Sequence, residues 1–150
     1  MSSQKTLPYK TTLLVRDCCL CLHVQRAARS LARRFDEVLR PFDLTNGQFS
    51  LLMSLNRPEP PAMGPVASLL AMDRTTLTAA LKPLERRGLV KVSQDPSDRR
   101  SRVLKLTAKG HNLLIRAVPV WERTHQEVER LMPNEADPND LRRSLRALSK

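Results

Sequence analysis

Glycine, aromatic residues and long apolar runs are scarce in this 150-residue sequence, and each scarcity excludes a class of protein. Only 4 glycines are present, so the chain has no glycine-rich loop of the kind that binds nucleotide phosphates. Aromatic side chains make up 3% of the residues, too few for the stacking platforms of single-strand binders. No apolar run approaches the roughly 20 residues that span a bilayer. These scarcities argue against nucleotide-dependent enzymes and membrane proteins.

Secretory and disulfide-forming features are missing as well. The first fifteen residues lack the apolar core of a secretion signal. The three cysteines, Cys18, Cys19 and Cys21, cannot complete an even set of disulfides, which fits a reducing compartment. We therefore expect a cytoplasmic protein that does not associate with membranes.

Catalytic and metal-binding constellations are also absent from the sequence. The two C-terminal histidines have no nucleophile beside them, and no signature supports a cysteine hydrolase built on Cys21. On a helix, Cys18 neighbours Cys21 whereas Cys19 pairs with His23, so these four side chains do not converge on one tetrahedral ion. We expect no enzymatic activity, no cofactor and no bound metal.

Positive charge is the first feature that the sequence has in excess. The chain carries 26 Lys and Arg against 15 Asp and Glu, a net charge of +11. Residues 44–110 hold 11 basic and 5 acidic groups, whereas residues 111–150 are nearly balanced at 7 and 6. A basic middle suits a polyanion, because each phosphate that Lys or Arg neutralises releases condensed counterions. A non-specific nucleoid or RNA-binding protein is one hypothesis that fits this charge.

Apolar spacing predicts a mainly helical chain with one β-hairpin, and with a loose N-terminal arm that contains Tyr9. Thr45 and Gln48 are spaced as a capping box, and Asp73 precedes a further helix as its N-cap. Pro119 is expected to kink the longest helix. Strands are predicted over residues 89–92 and 103–106. Helices are predicted over residues 18–40, 45–55, 63–70, 74–87 and 107–131, and from residue 137 onward.

Two short helices followed by a basic hairpin are typical of a winged helix-turn-helix. In the second of these helices, Leu77, Leu81 and Leu84 are spaced four and three residues apart and are expected to pack inward. Hydroxyl residues and an arginine near a helix N-terminus suit base edges and phosphates in a major groove. The opposite stripe, which could otherwise be merely a solvated face, contains Arg74, Thr75, Thr78, Ala79 and Lys82.

The tip of the predicted hairpin carries three arginines, Arg99, Arg100 and Arg102. Arginines on a short turn can reach a minor groove, whose narrow A·T stretches attract guanidinium groups. Asp98 is expected to pair with a neighbouring arginine and to fix its direction. The alternative is a charge run that is only solvated.

A specific family resemblance is carried by residues 98–110, DRRSRVLKLTAKG, which look like the wing signature D-x-R-x-x-x-L-x-L-T-x-x-G of the MarR family of bacterial transcriptional regulators. Residues 84–90 are similar to the end of that family's recognition helix, and residues 44–49 to the start of its second helix. The resemblance covers roughly residues 16–150. It implies contacts to the major groove from Arg74, Thr75, Thr76, Thr78 and Lys82, and contacts through the wing from Arg99, Arg100 and Arg102, with Arg100 in the minor groove.

The resemblance also implies an architecture and an assembly. The expected fold is mainly α with a small β-hairpin wing, a single unit over residues 1–150. Its winged helix-turn-helix region is expected at about 44–110, and its helical dimerisation region at about 10–40 and 111–150. Uncovered apolar stripes at both chain ends independently favour a homodimer, which would bind a pseudo-palindromic operator with half-sites about 10 bp apart. Pro83 departs from a regular recognition helix and is expected to bend it locally.

Members of this family usually release DNA when a small ligand binds, which makes the chain a predicted repressor with an effector. The resemblance implies an aromatic or phenolic acid, or its thioester, in a pocket between the first, second and fifth predicted helices. His23, Arg26 and Arg29 are the candidates to meet an anionic ligand, although arginines on a helix are ordinarily solvated.

An alternative switch is oxidation of Cys21. This residue precedes Thr45 by 24 positions, the spacing that the organic-hydroperoxide sensors of the family use. Those relatives place tyrosines where this chain has Gln25 and Phe35, so Arg29 or His23 would have to stabilise the thiolate instead. A cysteine is also an ordinary small core residue, and both interpretations stay open here.

Overall fold

The computed structural model of the chain describes residues 5–150, which form seven α-helices, one short 3-10 helix and a two-stranded sheet. This is the mainly helical fold with a β-hairpin that the sequence predicts. None of the helices in residues 5–150 is long and apolar enough to cross a membrane. In chain order the elements are α1 (Tyr9–Cys18), α2 (Leu20–Leu39), the 3-10 helix (Arg40–Phe42), α3 (Asn46–Ser54), α4 (Met63–Leu69), α5 (Arg74–Arg86), β1 (Val90–Gln94), β2 (Arg102–Leu106), α6 (Ala108–Arg130) and α7 (Pro138–Leu148).

The described residues group into two compact units, one that ends at Arg34 and one that spans Phe35–Lys150. The first unit contains α1 and most of α2. The second contains the end of α2, the sheet and the remaining helices. The winged-helix elements therefore all belong to the second unit.

Helix α1 corrects the prediction that Tyr9 lies in a loose arm, because Tyr9 is its first residue. Its apolar residues are consecutive rather than spaced by three or four, so helical periodicity gave no signal there. Cys19 separates α1 from α2, with an extended backbone at φ −69° and ψ 110°. Its N–H donates to Val15 O at 3.0 Å, and its carbonyl accepts from the N–H of His23 at 3.1 Å. The backbone of Cys19 therefore forms hydrogen bonds with both the last turn of α1 and the first turn of α2.

Leucines from several elements form the core of the second unit. Leu39 at the end of α2, Leu52 on α3, Leu84 on α5 and Leu104 on β2 are fully buried, and Ala117 joins them from α6. Burial of each leucine contributes about 1.5 to 3 kcal/mol relative to exposure. The core thus fixes the orientation of α5 and of the hairpin on a common support.

Side-chain caps fix where the helices of the second unit begin. The predicted capping box is present, since Thr45 Oγ1 accepts from Gln48 N–H at 3.1 Å and Gln48 Oε1 accepts from Thr45 N–H at 3.1 Å. The Asp36 carboxylate accepts from the backbone N–H of Asn46 at 2.7 Å and from its side-chain amide at 2.8 Å. These bonds lower the pKa of Asp36 and join the end of α2 to the start of α3.

The hairpin and the loop before α4 form one hydrogen-bonded edge. Strands β1 and β2 pair antiparallel, from Val90 opposite Leu106 to Gln94 opposite Arg102. Ala62 makes an isolated bridge to Val103, and Leu104 N–H donates to Pro61 O at 2.9 Å. The loop that precedes α4 is therefore tied to the outer side of β2.

Neither internal proline interrupts its helix. Pro83 lies inside α5 and Pro119 inside α6, and each removes one hydrogen bond to a carbonyl four residues earlier. Those carbonyls belong to Ala79 and Ile115, which are both exposed. Water can satisfy them, so both helices continue through their prolines, and the local bend expected at each proline stays a prediction.

Candidate nucleic-acid interface

Helix α5 has one buried and one exposed face. Leu77, Leu81 and Leu84 are buried, as the sequence predicts. The predicted DNA-contacting residues of this helix are all exposed to solvent and are Arg74, Thr75, Thr76, Thr78 and Lys82. The helix therefore presents a polar surface with two cations while its apolar face anchors it to the core.

The N-terminus of α5 is held by Asp73. Its carboxylate accepts the backbone N–H of Thr76 at 2.6 Å, and this bond lowers the pKa of Asp73. The Thr78 hydroxyl donates to Arg74 O at 2.8 Å, so its only proton is already engaged. Thr78 can then offer a base edge an acceptor lone pair and a methyl group, but not a donor.

Arg74 is the leading cation of this face, and its guanidinium lies over Gly64 in the first turn of α4. A Cβ placed on Gly64 would lie 3.8 Å from Arg74 Nη2. The positive charge is thereby held where α4 and α5 meet, at the N-terminal end of α5. This is the end that enters the major groove in helix-turn-helix proteins.

The hairpin turn is built from its own hydrogen bonds. Asp95 accepts from the backbone N–H of Ser97 at 2.9 Å and from its hydroxyl at 2.8 Å, which lowers the pKa of Asp95. Gln94 donates its side-chain amide to Arg99 O at 2.8 Å. These bonds fix the turn backbone without using a guanidinium group.

Asp98 does not form the predicted pair with an arginine side chain. Its carboxylate accepts the backbone N–H of Arg100 at 3.0 Å instead, which is the local bond that an Asp prefers in a turn. In the described part of the chain, Arg99, Arg100 and Arg102 are all exposed and none of them forms an ion pair. Each guanidinium therefore keeps its five N–H donors for a partner.

Cys21 is exposed and belongs to a chain of hydrogen bonds along α2. The Gln25 side-chain amide donates to Cys21 Sγ at 3.2 Å, and Arg29 Nη2 donates to Gln25 Oε1 at 3.4 Å. Gln25 therefore lies between Arg29 and the thiol, whereas the sequence suggested that Arg29 would stabilise the thiolate directly. The His23 ring lies 2.8 Å from Cys19 O instead.

The three predicted ligand-binding residues lie together on α2. His23, Arg26 and Arg29 line one concave surface with Ala27, Ser30 and Arg33. This surface has several cations and no carboxylate, which suits an anion. Among residues 5–150, no three His, Cys, Asp or Glu side chains cluster as metal ligands would.

A cavity of about 530 Å³ lies between α3 and α6, which are the second and fifth predicted helices, but none of its lining residues was named from the sequence. Trp121 lines it and stacks with Phe49 at a centroid distance of 6.1 Å and with His125 at 4.9 Å. Both aromatic residues follow helical spacing, so the pattern indicated ordinary core packing. The cavity is mainly apolar and is completed by Ser50, Met53, Ser54, Leu69, Val118 and Glu122.

Comparisons with known proteins match this geometry. The model of the MarR family matches residues 44–101, the region from the start of α3 to the hairpin turn. The chain is 34% identical over 87 residues to the transcriptional regulator HosA of Escherichia coli O111:H-, covering 57% of this chain and 63% of HosA. It is 30% identical over 120 residues to the transcriptional repressor MprA of E. coli K12, covering 79% of this chain and 65% of MprA. The chain thus spans just under two thirds of these curated relatives.

A solved structure extends the similarity over nearly the whole chain. The M. tuberculosis transcriptional regulator MosR in complex with DNA superposes with a TM-score of 0.77 and is 37% identical. The match covers 87% of this chain and 93% of the MosR chain. The helices outside the winged-helix region are therefore part of the shared fold.

Proposed function

Because the chain belongs to the MarR family of transcriptional regulators, we propose that it is a cytoplasmic, homodimeric DNA-binding repressor that an effector releases from its operator. Its family and its matched relatives are transcriptional regulators, not enzymes. One observation carries the proposal. A capped helix with an exposed polar face packs on the same core as a hairpin with three exposed arginines, none of which forms an ion pair within the described residues.

In the proposed complex, α5 enters the major groove by its N-terminal end. Arg74 and Lys82 neutralise phosphates or contact bases, and the threonines between them meet base edges. Arg100, at the hairpin turn, enters the adjacent minor groove. Non-specific nucleoid binding is the competing proposal, and the DNA experiment below separates the two.

Exposed apolar residues on the terminal helices support the proposed homodimer. Leu14 on α1 and Leu20 on α2 are exposed, as are Leu141, Leu145 and Leu148 on α7. Leucines at helical spacing on a solvent-exposed face favour burial against a partner. We propose that a second copy covers them, which places two copies of α5 about one helical turn of DNA apart.

The cavity between α3 and α6 supports an effector with an aromatic ring. Its walls include Trp121 and Phe49, and its size falls within the range of small-molecule sites. We propose an aromatic or phenolic acid, or its thioester, as the ligand class. Glu122 is the charged residue that lines this cavity. His23, Arg26 and Arg29, which line a separate surface on α2, remain the proposed residues for an anionic ligand.

Salt dependence tests the DNA-binding proposal. If about six phosphates are neutralised, the logarithm of the association constant should fall against the logarithm of salt concentration with a slope of about −5. Fluorescence anisotropy with labelled DNA from upstream of the protein's own coding sequence measures this slope. A scrambled duplex of equal length is the control. Equal affinity for both duplexes would support the non-specific alternative, and a flat salt response would contradict the basic surface as the DNA contact.

The emission of Trp121 tests the effector proposal, because it is the only tryptophan. We expect 4-hydroxycinnamate or its coenzyme A thioester to change this emission and to release labelled DNA over the same range of concentration. Release without any change in emission would place the effector outside this cavity. Unchanged emission and persistent DNA binding with both compounds would contradict the proposed ligand class.

Oxidation of Cys21 is a second candidate function, favoured by the bond from Gln25 at 3.2 Å. An amide donor beside the sulfur stabilises a thiolate, and Arg29 polarises that amide through its own bond. In the proposed step, the thiolate attacks the outer oxygen of an organic hydroperoxide. The O–O bond breaks, the alcohol leaves with a proton, and the sulfur is oxidised to sulfenic acid.

Hydroperoxide-dependent release from DNA tests this second function. Cumene hydroperoxide should release the parent protein from DNA, and dithiothreitol should restore binding. Cys21→Ser should resist release, whereas Cys18→Ser, which removes an exposed thiol without the glutamine donor, should respond like the parent. Equal release of both variants would remove Cys21 from the mechanism.

A further inference from the structure

A second cavity of the Phe35–Lys150 unit lies on the hairpin side of α6, away from the proposed DNA-contacting residues. It occupies about 310 Å³ between the end of α3, the loop that follows it, the end of β2 and the start of α6. None of the proposed DNA-contacting residues lines it. Among the residues that line it are Leu55, Arg57, Pro58, Lys105, Leu106 and His111.

The charged groups of this cavity are of one sign. Arg57 and Lys105 are cations, His111 becomes one on protonation, and no carboxylate lines the cavity. Glu59 belongs to the same loop but is not part of the lining. Arg57 Nε donates to Ser54 O at 3.0 Å, which fixes the guanidinium while leaving its terminal N–H groups free to donate. Over residues 5–150, neither Arg57 nor Lys105 forms an ion pair.

The surrounding backbone adds to the positive potential. Ala108, the first residue of α6, lines the cavity, and the first turn of this 23-residue helix contains no acidic residue. Thr107 Oγ1 accepts the N–H of Gly110 in this turn, but no carboxylate offsets the partial positive charge of the helix N-terminus. Lys105 also pairs directly across the hairpin with Lys91, and like charges in that position repel each other. An anion beside Lys105 would be attracted by this local positive potential.

We propose that this cavity binds a small organic anion, a carboxylate or phosphate attached to an apolar body. The cations would hold the anionic group, and Leu55, Pro58 and Leu106 would contact the apolar part. A volume of about 310 Å³ lies at the lower end of the range for small-molecule sites. The site would be distinct from the aromatic cavity between α3 and α6, because the two share only the segment at the end of α3 and no lining residue.

Occupancy of this site would act on the wing. The loop over residues 56–61 is bonded to β2 by Leu104 N–H and Pro61 O, and β2 leads directly to Arg102 and the arginine turn. A ligand that bridges the loop, β2 and α6 would hold the wing in one orientation. This regulatory consequence rests on the proposed DNA-binding function, whereas the binding of the anion does not.

Nuclear magnetic resonance of the ¹⁵N-labelled 150-residue chain without DNA tests the site. Benzoate, phenyl phosphate and inorganic phosphate are titrated separately, which distinguishes carboxylate from phosphate and measures the contribution of the apolar body. We expect the amide shifts of Arg57, Lys105, Ala108 and His111 to change together with either organic anion. Shifts that centre on another region, or inorganic phosphate binding as tightly as phenyl phosphate, would overturn the proposal.

A matched pair of variants distinguishes binding at this cavity from a general effect of positive charge on anion binding. Lys105→Gln should weaken binding of the organic anion at least tenfold, whereas Lys91→Gln should change the affinity for this anion less than twofold. Both variants remove one charge and the same cross-strand repulsion, but only Lys105 lines the cavity. Equal weakening by both would overturn the proposal. Because this titration contains no DNA, its result does not depend on whether the proposed DNA-binding function is correct.

Discussion

Replacing Arg100 by alanine is expected to weaken operator binding about tenfold to hundredfold, the range for an arginine that contacts base edges. Arg100 is exposed and carries no ion pair in the described part of the chain, while its backbone N–H is bonded to Asp98. The substitution therefore removes the guanidinium without disturbing the bonds that shape the turn. Loss of affinity can then be attributed to the DNA contact rather than to a rearranged hairpin.

Anisotropy with the operator duplex measures this effect, and sedimentation velocity measures the oligomeric state of the same samples. Arg123→Ala is the matched control, because it removes the same charge from an exposed position on α6 outside the proposed DNA surface. It should reduce affinity less than twofold. If the two variants bind equally well, the wing makes no specific contact and only the total charge matters.

Features set by neighbours in sequence could be predicted from the sequence. The Thr45–Gln48 capping box, the Asp73 cap and the hairpin all depend on residues within a few positions of each other. The inward face of α5 follows from the spacing of its leucines. The surface proposed for DNA is of this local kind, which is why its residues could be named without a structure.

Features that depend on distant packing, or on a choice between competing local contacts, could not be predicted. The aromatic lining of the cavity between α3 and α6 depends on the packing of Phe49 against Trp121, more than seventy positions apart. The relay from Arg29 to Cys21 needs the rotamer of Gln25, and the bond from Asp98 to a backbone N–H competes with the side-chain pair that charge alone suggests. Helix α1 was missed because its apolar residues have no helical period.

Gly110→Ala is expected to destabilise the protein strongly, by about 3 kcal/mol, through overpacking. A Cβ on Gly110 would lie 2.3 Å from Leu89 O and 2.8 Å from Leu106 Cδ1. The Leu89 backbone has no freedom to retreat, because Leu89 is buried, its N–H donates to Leu84 O at 3.0 Å and its carbonyl accepts from Thr107 N–H at 3.1 Å. The start of α6 would have to move away from the end of α5 and the base of the hairpin.

Thermal unfolding followed by circular dichroism measures the loss, and we expect the midpoint to fall by about 6 to 12 °C in a chain of this length. Gly47→Ala is the matched control, since the nearest atom to its added Cβ is Thr45 Oγ1 at 4.0 Å and its position in α3 favours alanine. Equal midpoints for the two variants would contradict the close approach at Gly110. The folded fraction of the Gly110→Ala variant should lose DNA affinity only to the extent that the hairpin is displaced. The final glycine of the wing signature would then act by packing the hairpin against α6, whereas the arginines of the same signature are the residues proposed to contact DNA.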